Sequence, residues 1–287
     1  MHQANEAAPF FSGSDLLRKL SQHWPLYLYE GLELALFMFS ACACSVLLFH
    51  AGYPTEDLLP SPTLRRGLMG VGMGLTAILI IHSPMGKRSG AHFNPAITLT
   101  YLWLGKIAPE DAFFYVCFQF TGGIFGVAIS SLLFGKALAA PGVEYAVTVP
   151  GTYGTAAAFT AEFFMAALLM AVVLFLSNRP RIASFTSYAV GALIALYVLV
   201  FAPVSGFSIN PARTVGSAVF AHIWTAGWIY FTAPLFGMLV SAMIYRQTYG
   251  PDNILCAKLH PDPAYPCPFR CQFPFHRHPV AQASATG

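Results

Sequence analysis

Six long apolar runs punctuate the chain, at residues 27–50, 64–82, 113–134, 155–176, 185–201 and 223–245. They hold 17 to 24 residues, enough for a helix to cross a hydrocarbon core of about 30 Å. Ten-residue stretches of alternating apolar and polar residues are absent, which argues against a transmembrane barrel. Two shorter apolar stretches, 94–103 and 210–220, lie between the second and third runs and between the fifth and sixth. Each makes about 15 Å of helix, half of a membrane crossing.

The half-length stretches open on one device used twice. Residues 89–98 read Ser-Gly-Ala-His-Phe-Asn-Pro-Ala-Ile-Thr, and residues 205–214, 116 positions later, read Ser-Gly-Phe-Ser-Ile-Asn-Pro-Ala-Arg-Thr. Asn is a strong N-cap because its side-chain oxygen accepts from an orphan N–H of the first turn. Pro at N1 has no N–H to lose and a φ already set for a helix. Asn94-Pro95-Ala96 and Asn210-Pro211-Ala212 therefore each predict a helix start, with a Gly four residues earlier to turn the chain. Each half of the sequence holds three spans with a half-helix between its second and third, and a Glu near the start of its first span, Glu30 or Glu162. Three is odd, so the second half enters with opposite orientation. Half-helices meeting near the midplane of an inverted repeat are the architecture of a substrate pathway.

Composition and charge complete the class. The chain of 287 residues is 56% hydrophobic and 9% charged, against about 25% charged in soluble domains. With the N-terminus in the cytoplasm, eleven Lys and Arg fall inside, Arg65, Arg66 and Lys136 fall outside, and Arg213 lies in the second half-helix. That bias predicts a multi-pass protein of the cell membrane with both termini cytoplasmic. Residues 1–23 lack a basic stretch followed by an apolar one and do not read as a cleaved signal peptide. The expected organisation is an N-terminal segment 1–23, a channel domain 24–248 (repeats about 24–136 and 155–248) and a cytoplasmic tail 249–287. No basic stripe with interleaved aromatics points to nucleic acid. No nucleophile, base and orienter share a motif frame, so the sequence reads as no enzyme, and nothing in it requires a cofactor.

Both Asn-Pro-Ala frames, Arg213 directly after the second, Glu30, Glu162, Gln119 in the third span and Pro234 in the sixth together resemble the major intrinsic protein family of aquaporins and aquaglyceroporins. The likeness covers about residues 27–245. It implies an all-α membrane fold, a right-handed bundle of six spans plus two re-entrant half-helices, with one pore per subunit of a homotetramer. It further implies a four-residue constriction, carried over by spacing as Met73, Val198, Phe207 and Arg213, with Gly74 the alternative to Met73. Its partners would be the lipid bilayer, water and small neutral solutes.

Each of these residues also has a plainer reading. A lone Asn94 or Asn210 would be only a cap; paired at midplane, their amide NH2 groups are expected to face the lumen. Arg213 in a first turn opposes the macrodipole and costs at least about 2.5 kcal/mol inside a membrane, which favours a lumen donor over a surface charge. Glu30 and Glu162 suit a structural role, accepting from N–H groups that a re-entrant loop leaves open. The alternative is a proton- or ion-coupled transporter working through Glu33 and Glu162; Glu33, with Met165 at the matching position, is otherwise expected near the headgroups. His92 packs before Asn94 or senses pH. The filter signs conflict. Phe207 and the lack of a His at 198 lean toward a glycerol facilitator, whereas Thr214, Ala218 and Tyr230-Phe231 lean toward a water channel.

The tail from Tyr249 is rich in Pro and carries Cys256, His260, Cys267, Cys271, His276 and His278. Cys267, Cys271, His276 and His278 loosely resemble metal ligands, but no standard zinc spacing is met. The composition predicts an unstructured tail without a metal, and in a reducing cytoplasm its thiols would not form disulfides.

Overall fold

The computed structural model describes residues 13–274. Among them six helices are long and apolar enough to cross a membrane. In chain order the elements are α1 (Gly13–Phe49), α2 (Pro62–His82), the half-helix α3 (Pro95–Trp103), α4 (Pro109–Phe134), α5 (Gly154–Ser177), α6 (Thr186–Ser205), the half-helix α7 (Pro211–Ala221) and α8 (Trp228–Tyr249). The first four form one repeat and the last four its inverted counterpart. His276 and His278 lie outside the described residues.

The packing carries the same symmetry. α1 lies along α4 and α5 along α8, while α2 and α6 meet across the two halves. Each half-helix packs on the last span of the other half, α3 on α8 and α7 on α4, which interlocks the repeats. Small residues set these distances. A β-carbon on Gly122 would stand 2.0 Å from the Gly31 carbonyl oxygen, and one on Gly74 would stand 2.4 Å from that of Gly191. Gly74 is thus pressed against α6, and Met73 is the neighbour that looks inward.

Three boundaries differ from those read from hydropathy. α1 begins at Gly13, fourteen residues early. Its polar first turns are held by Asp111 at the start of α4, which accepts from Lys19 Nζ (3.2 Å) and Tyr27 Oη (2.7 Å) and pairs with His23 Nδ1 (2.8 Å). α6 runs through Pro203 to Ser205 and is closed by Gly206, which takes a left-handed φ of 76° and donates to Ala202 O. α8 starts only at Trp228, because His222 and Ala226, both at positive φ, turn the chain after α7.

The larger difference is the tail. From Gly250 to residue 274 the chain folds back across the face of the bundle that carries the start of α1. Ile254, Cys256, Ala257, Lys258, Leu259 and Phe273 are buried. The backbone is tied down at three loops: Leu259 N donates to Gly90 O (3.1 Å), Arg270 N to Lys106 O (3.0 Å), and Leu255 N to Asn178 Oδ1 (2.6 Å). Lys258 Nζ reaches the carbonyls of Lys87 (2.6 Å), Tyr265 (3.2 Å) and Pro266 (2.9 Å). Composition suggested an unstructured segment, but the apolar anchors and borrowed loop carbonyls give residues 250–274 a fixed course.

Candidate functional site

The tips of α3 and α7 meet. Asn94 Oδ1 caps α3 by accepting from Ala96 N (2.9 Å), and Asn210 Oδ1 caps α7 by accepting from Ala212 N (3.0 Å) and Arg213 N (3.2 Å). The amides then cross. Asn94 Nδ2 donates to Ile209 O and Asn210 Nδ2 to Phe93 O, both at 2.8 Å. Each amide spends one of its two hydrogens on the opposite loop and has one left. The side chains therefore join the two halves as well as capping them.

The loops before the tips are built alike. Ala91 and Phe93 in the first copy, and Phe207 and Ile209 in the second, take positive φ between 31° and 57°. Left-handed backbone costs a non-glycine residue roughly 1–2 kcal/mol, so something must hold it. A buried carboxylate does so in each half. Glu30 accepts from His92 N (3.0 Å), Phe93 N (2.7 Å) and Gln119 Nε2 (2.8 Å). Glu162 accepts from Ser208 N (2.9 Å), Ile209 N and Ser205 Oγ (2.7 Å). With N–H groups bound behind, the loop carbonyls that the asparagines, the tail and neighbouring spans do not claim are left for the other side.

A tyrosine closes each loop from its outer end. Tyr115 Oη donates to Ser89 O (2.7 Å) and Tyr230 Oη to Ser205 O (2.6 Å). Sequence reading missed Tyr115 in this role; the signal available was its position 115 residues before Tyr230, close to the repeat length. Glu33 does not face the headgroups. It is fully buried and accepts from Ser89 Oγ at 2.8 Å, because α1 turns it toward the loop one turn after Glu30. Glu33 and Glu162 are not brought together as one relay, since each serves the loop of its own repeat. His92 is buried, contacts Thr98 Oγ1 through Nδ1 (3.1 Å) and Ala257 O through Nε2 (2.8 Å), and stacks on Phe269 at 5.3 Å between ring centroids.

Two cavities flank the tips. One, of about 360 Å³, is lined by Met73, Val198, Phe207 and Arg213 together, with Phe37 and Ser208 on its inner side. The other, of about 40 Å³, is lined by Asn94 and Asn210, with Ile194, Leu259 and again Phe37, Phe207 and Ser208. The shared residues make them successive stretches of one route. Arg213 is 8% exposed, and its Nη1 has no hydrogen-bond partner among the described residues. The rest of the lining is mainly apolar side chains and loop backbone, with Ser45, Arg66 and Glu144 on the larger cavity and His92 on the smaller one.

In the tail, Cys267 and Cys271 come together with Cys256, all three sulfurs lying within 4.8 Å of one another. Cys256 was not among the candidate ligands read from the sequence, because its separation of eleven positions from Cys267 fits no common ligand spacing.

Comparison with known proteins agrees with this geometry. The profile of the family described as Major intrinsic protein matches residues 18–245. An aquaporin Z from Rhodopseudomonas palustris is 30% identical over 233 residues, 77% of this chain and 91% of that protein. A probable aquaporin of the NIP type from Nicotiana alata is 35% identical over 187 residues, 64% of this chain and 67% of that protein. The X-ray structure of the aquaglyceroporin from Plasmodium falciparum superposes with a TM-score of 0.68, covering 80% of this chain and 98% of that one at 20% identity, a likeness of fold. The paired half-helices and the match over four-fifths of the sequence lead to one conclusion: the chain belongs to the major intrinsic protein family, as a multi-pass membrane channel and not an enzyme.

Proposed function

We propose that the protein is a passive channel for water that also admits small uncharged solutes and excludes ions and protons. The crossed Asn94–Asn210 pair carries this reading. Two half-helix N-termini point their partial positive charge at one spot, and each Asn keeps one N–H for a passing molecule. A water there is held with its oxygen toward the asparagines and its hydrogens outward along the route. Its neighbours are oriented away in both directions, which breaks a proton wire, while the positive field repels cations.

Met73, Val198, Phe207 and Arg213 form the constriction. Three apolar walls and one guanidinium make a filter less polar than one built around a His, which supports passage of glycerol-sized neutral molecules beside water. The chain works as a homotetramer with one pore per subunit, and both termini lie in the cytoplasm of the cell that carries it. Coupling to a proton through Glu162 is disfavoured because both its oxygens are occupied by the loop.

Stopped-flow light scattering of reconstituted vesicles tests the reading, with an impermeant osmolyte and then with glycerol. Fast shrinkage with the osmolyte, independent of pH or sodium gradients, is the expected result. Flux that requires such a gradient would refute a passive channel, and vesicles as tight to water as empty ones would refute water as the permeant.

A further inference from the structure

The tail gathers features that the route between the tips does not use. Cys256 Sγ and Cys267 Sγ stand 3.4 Å apart, and Cys271 Sγ completes a triangle within 4.8 Å. A disulfide needs about 2.05 Å, so Cys256 and Cys267 are neighbours and not bonded. Thiolates around a tetrahedral zinc ion sit about 2.3 Å from the metal and therefore roughly 3.8 Å from one another. The observed range brackets that spacing. Cys256 is buried and the other two half-buried, so an ion could enter from the tail side. Lys258 N donates to Cys256 Sγ at 3.4 Å, and the side chains of Lys106 and Lys258 lie near enough for their charge to act on the sulfurs. Contact with the other sulfurs and burial nevertheless hold the Cys256 thiol well above its ordinary range and the Cys267 thiol at about 12, so it is a bound divalent cation that would release these protons.

The residues that follow Cys256 are those that meet the pore. Ala257 O receives His92 Nε2 (2.8 Å), and Leu259 N donates to Gly90 O (3.1 Å). The Leu259 side chain forms part of the wall of the small cavity beside Asn94 and Asn210 and is 1% exposed. It borders the route on the tail side, three residues after Cys256.

We propose that Cys256, Cys267 and Cys271 form a three-thiolate site for a thiophilic divalent cation of the zinc class, and that the bound ion clasps residues 257–259 across the pore. On binding, three S–H bonds break, their protons pass to solvent and three sulfur–metal bonds form, with a water in the fourth position. No electron is transferred. The clasp rests on the channel reading above; the ion site does not.

The test uses the full chain in detergent, reduced and stripped of metal. Titration with Co2+ should raise a sulfur-to-cobalt charge-transfer band that saturates at one ion per chain and is lost on adding Zn2+. The band should be lost in C256S/C267S/C271S and kept in C42S/C117S. Absence of the band in the parent chain, or its survival in the triple variant, overturns the site. So does a Cys256–Cys267 disulfide formed under mild oxidation in protein that never binds cobalt. In vesicles, a membrane-permeant chelator should speed osmotic shrinkage severalfold for the parent chain and leave the triple variant, already fast, unchanged. Equal rates with and without Zn2+ in protein that shows the band overturn the clasp. A chain with the band but no water flux under any condition overturns the channel reading and the clasp with it, and leaves the ion site standing.

Discussion

The side-chain amide of Asn210 donates to the carbonyl of Phe93 at 2.8 Å, from one repeat of the sequence to the other. With its counterpart from Asn94 to Ile209 it fastens the two half-helix tips. Asn210→Asp separates this bond from the cap. A carboxylate still accepts from Ala212 N and Arg213 N, but it faces the Phe93 carbonyl with no hydrogen to give. The variant should lose about 1–3 kcal/mol, the cost of a buried acceptor left without a donor, and its negative charge should weaken cation exclusion. Thermal unfolding in detergent and vesicle conductance read the two effects. An unchanged melting temperature would show that the crossed bond does not hold the tips together.

Glu162 and Glu33 are both buried acids, and their substitution should differ sharply. Glu162 accepts two backbone N–H groups and the Ser205 hydroxyl. In Glu162→Gln one oxygen becomes an NH2 that confronts those donors, and the left-handed residues Phe207 and Ile209 lose their support. A loss of at least about 2 kcal/mol and of most water flux is expected. Glu33 accepts only from Ser89 Oγ among the described residues, a bond that a Gln carbonyl keeps, so Glu33→Gln should stay within about 1 kcal/mol of the parent. Parallel melting curves decide it, and a Glu33→Gln variant that abolishes flux would revive the coupled transporter.

The two repeats show what a linear reading reaches. The spans announce themselves through length and apolarity, and the Asn-Pro-Ala starts through capping chemistry that is local to a few residues. Glu30 and Glu162 are legible because intramembrane acids are costly and stand at matching places. The alternating positive φ of residues 91, 93, 207 and 209 is not legible, since Ala, Phe and Ile ordinarily avoid it; it exists because distant carboxylates hold the intervening N–H groups. Tyr230 drew notice only as half of the pair Tyr230-Phe231 and Tyr115 not at all, because the carbonyls of Ser205 and Ser89 that their hydroxyls meet lie 25 and 26 residues away along the chain. The tail was misjudged for a related reason. Its Pro content says it will not form a helix, but not that Leu259 and Phe273 have pockets waiting in the bundle.

Arg213 Nη1 faces the larger cavity without a partner among the described residues, beside Phe207 and opposite Met73 and Val198. Arg213→Val removes the only guanidinium that these four positions supply and widens the passage. Glycerol flux should rise relative to water flux, and proton or cation leak should appear where the parent shows none. Swelling assays with the two solutes, paired with a pH-sensitive dye inside the vesicles, provide the measurement. Unchanged selectivity would place the constriction elsewhere on the route.

The tail segment that borders the route carries its own titratable group. His260 packs against His82, the two rings tilted with centroids 4.5 Å apart, and is faced by His82, Lys87, Lys258 and Asp262. Burial first, then the charges of His82 and Lys87, hold its imidazole below the ordinary value of about 6.5. The docked tail therefore binds fewer protons than a released one. Docking is at full strength above about pH 6.5 and weakens as pH falls below it, because protonation then favours release. Asp262 stays charged through this window, since its carboxyl is also held below its ordinary range, and its pair with Lys87 at 3.0 Å persists. Protease cleavage within residues 250–274 should thus accelerate between pH 7 and pH 5 in the parent chain, as order-of-magnitude bounds around the imidazole value. His260→Gln should flatten that response and leave the neutral-pH rate nearly unchanged. The same acid acceleration in His260→Gln would assign the sensitivity to another group.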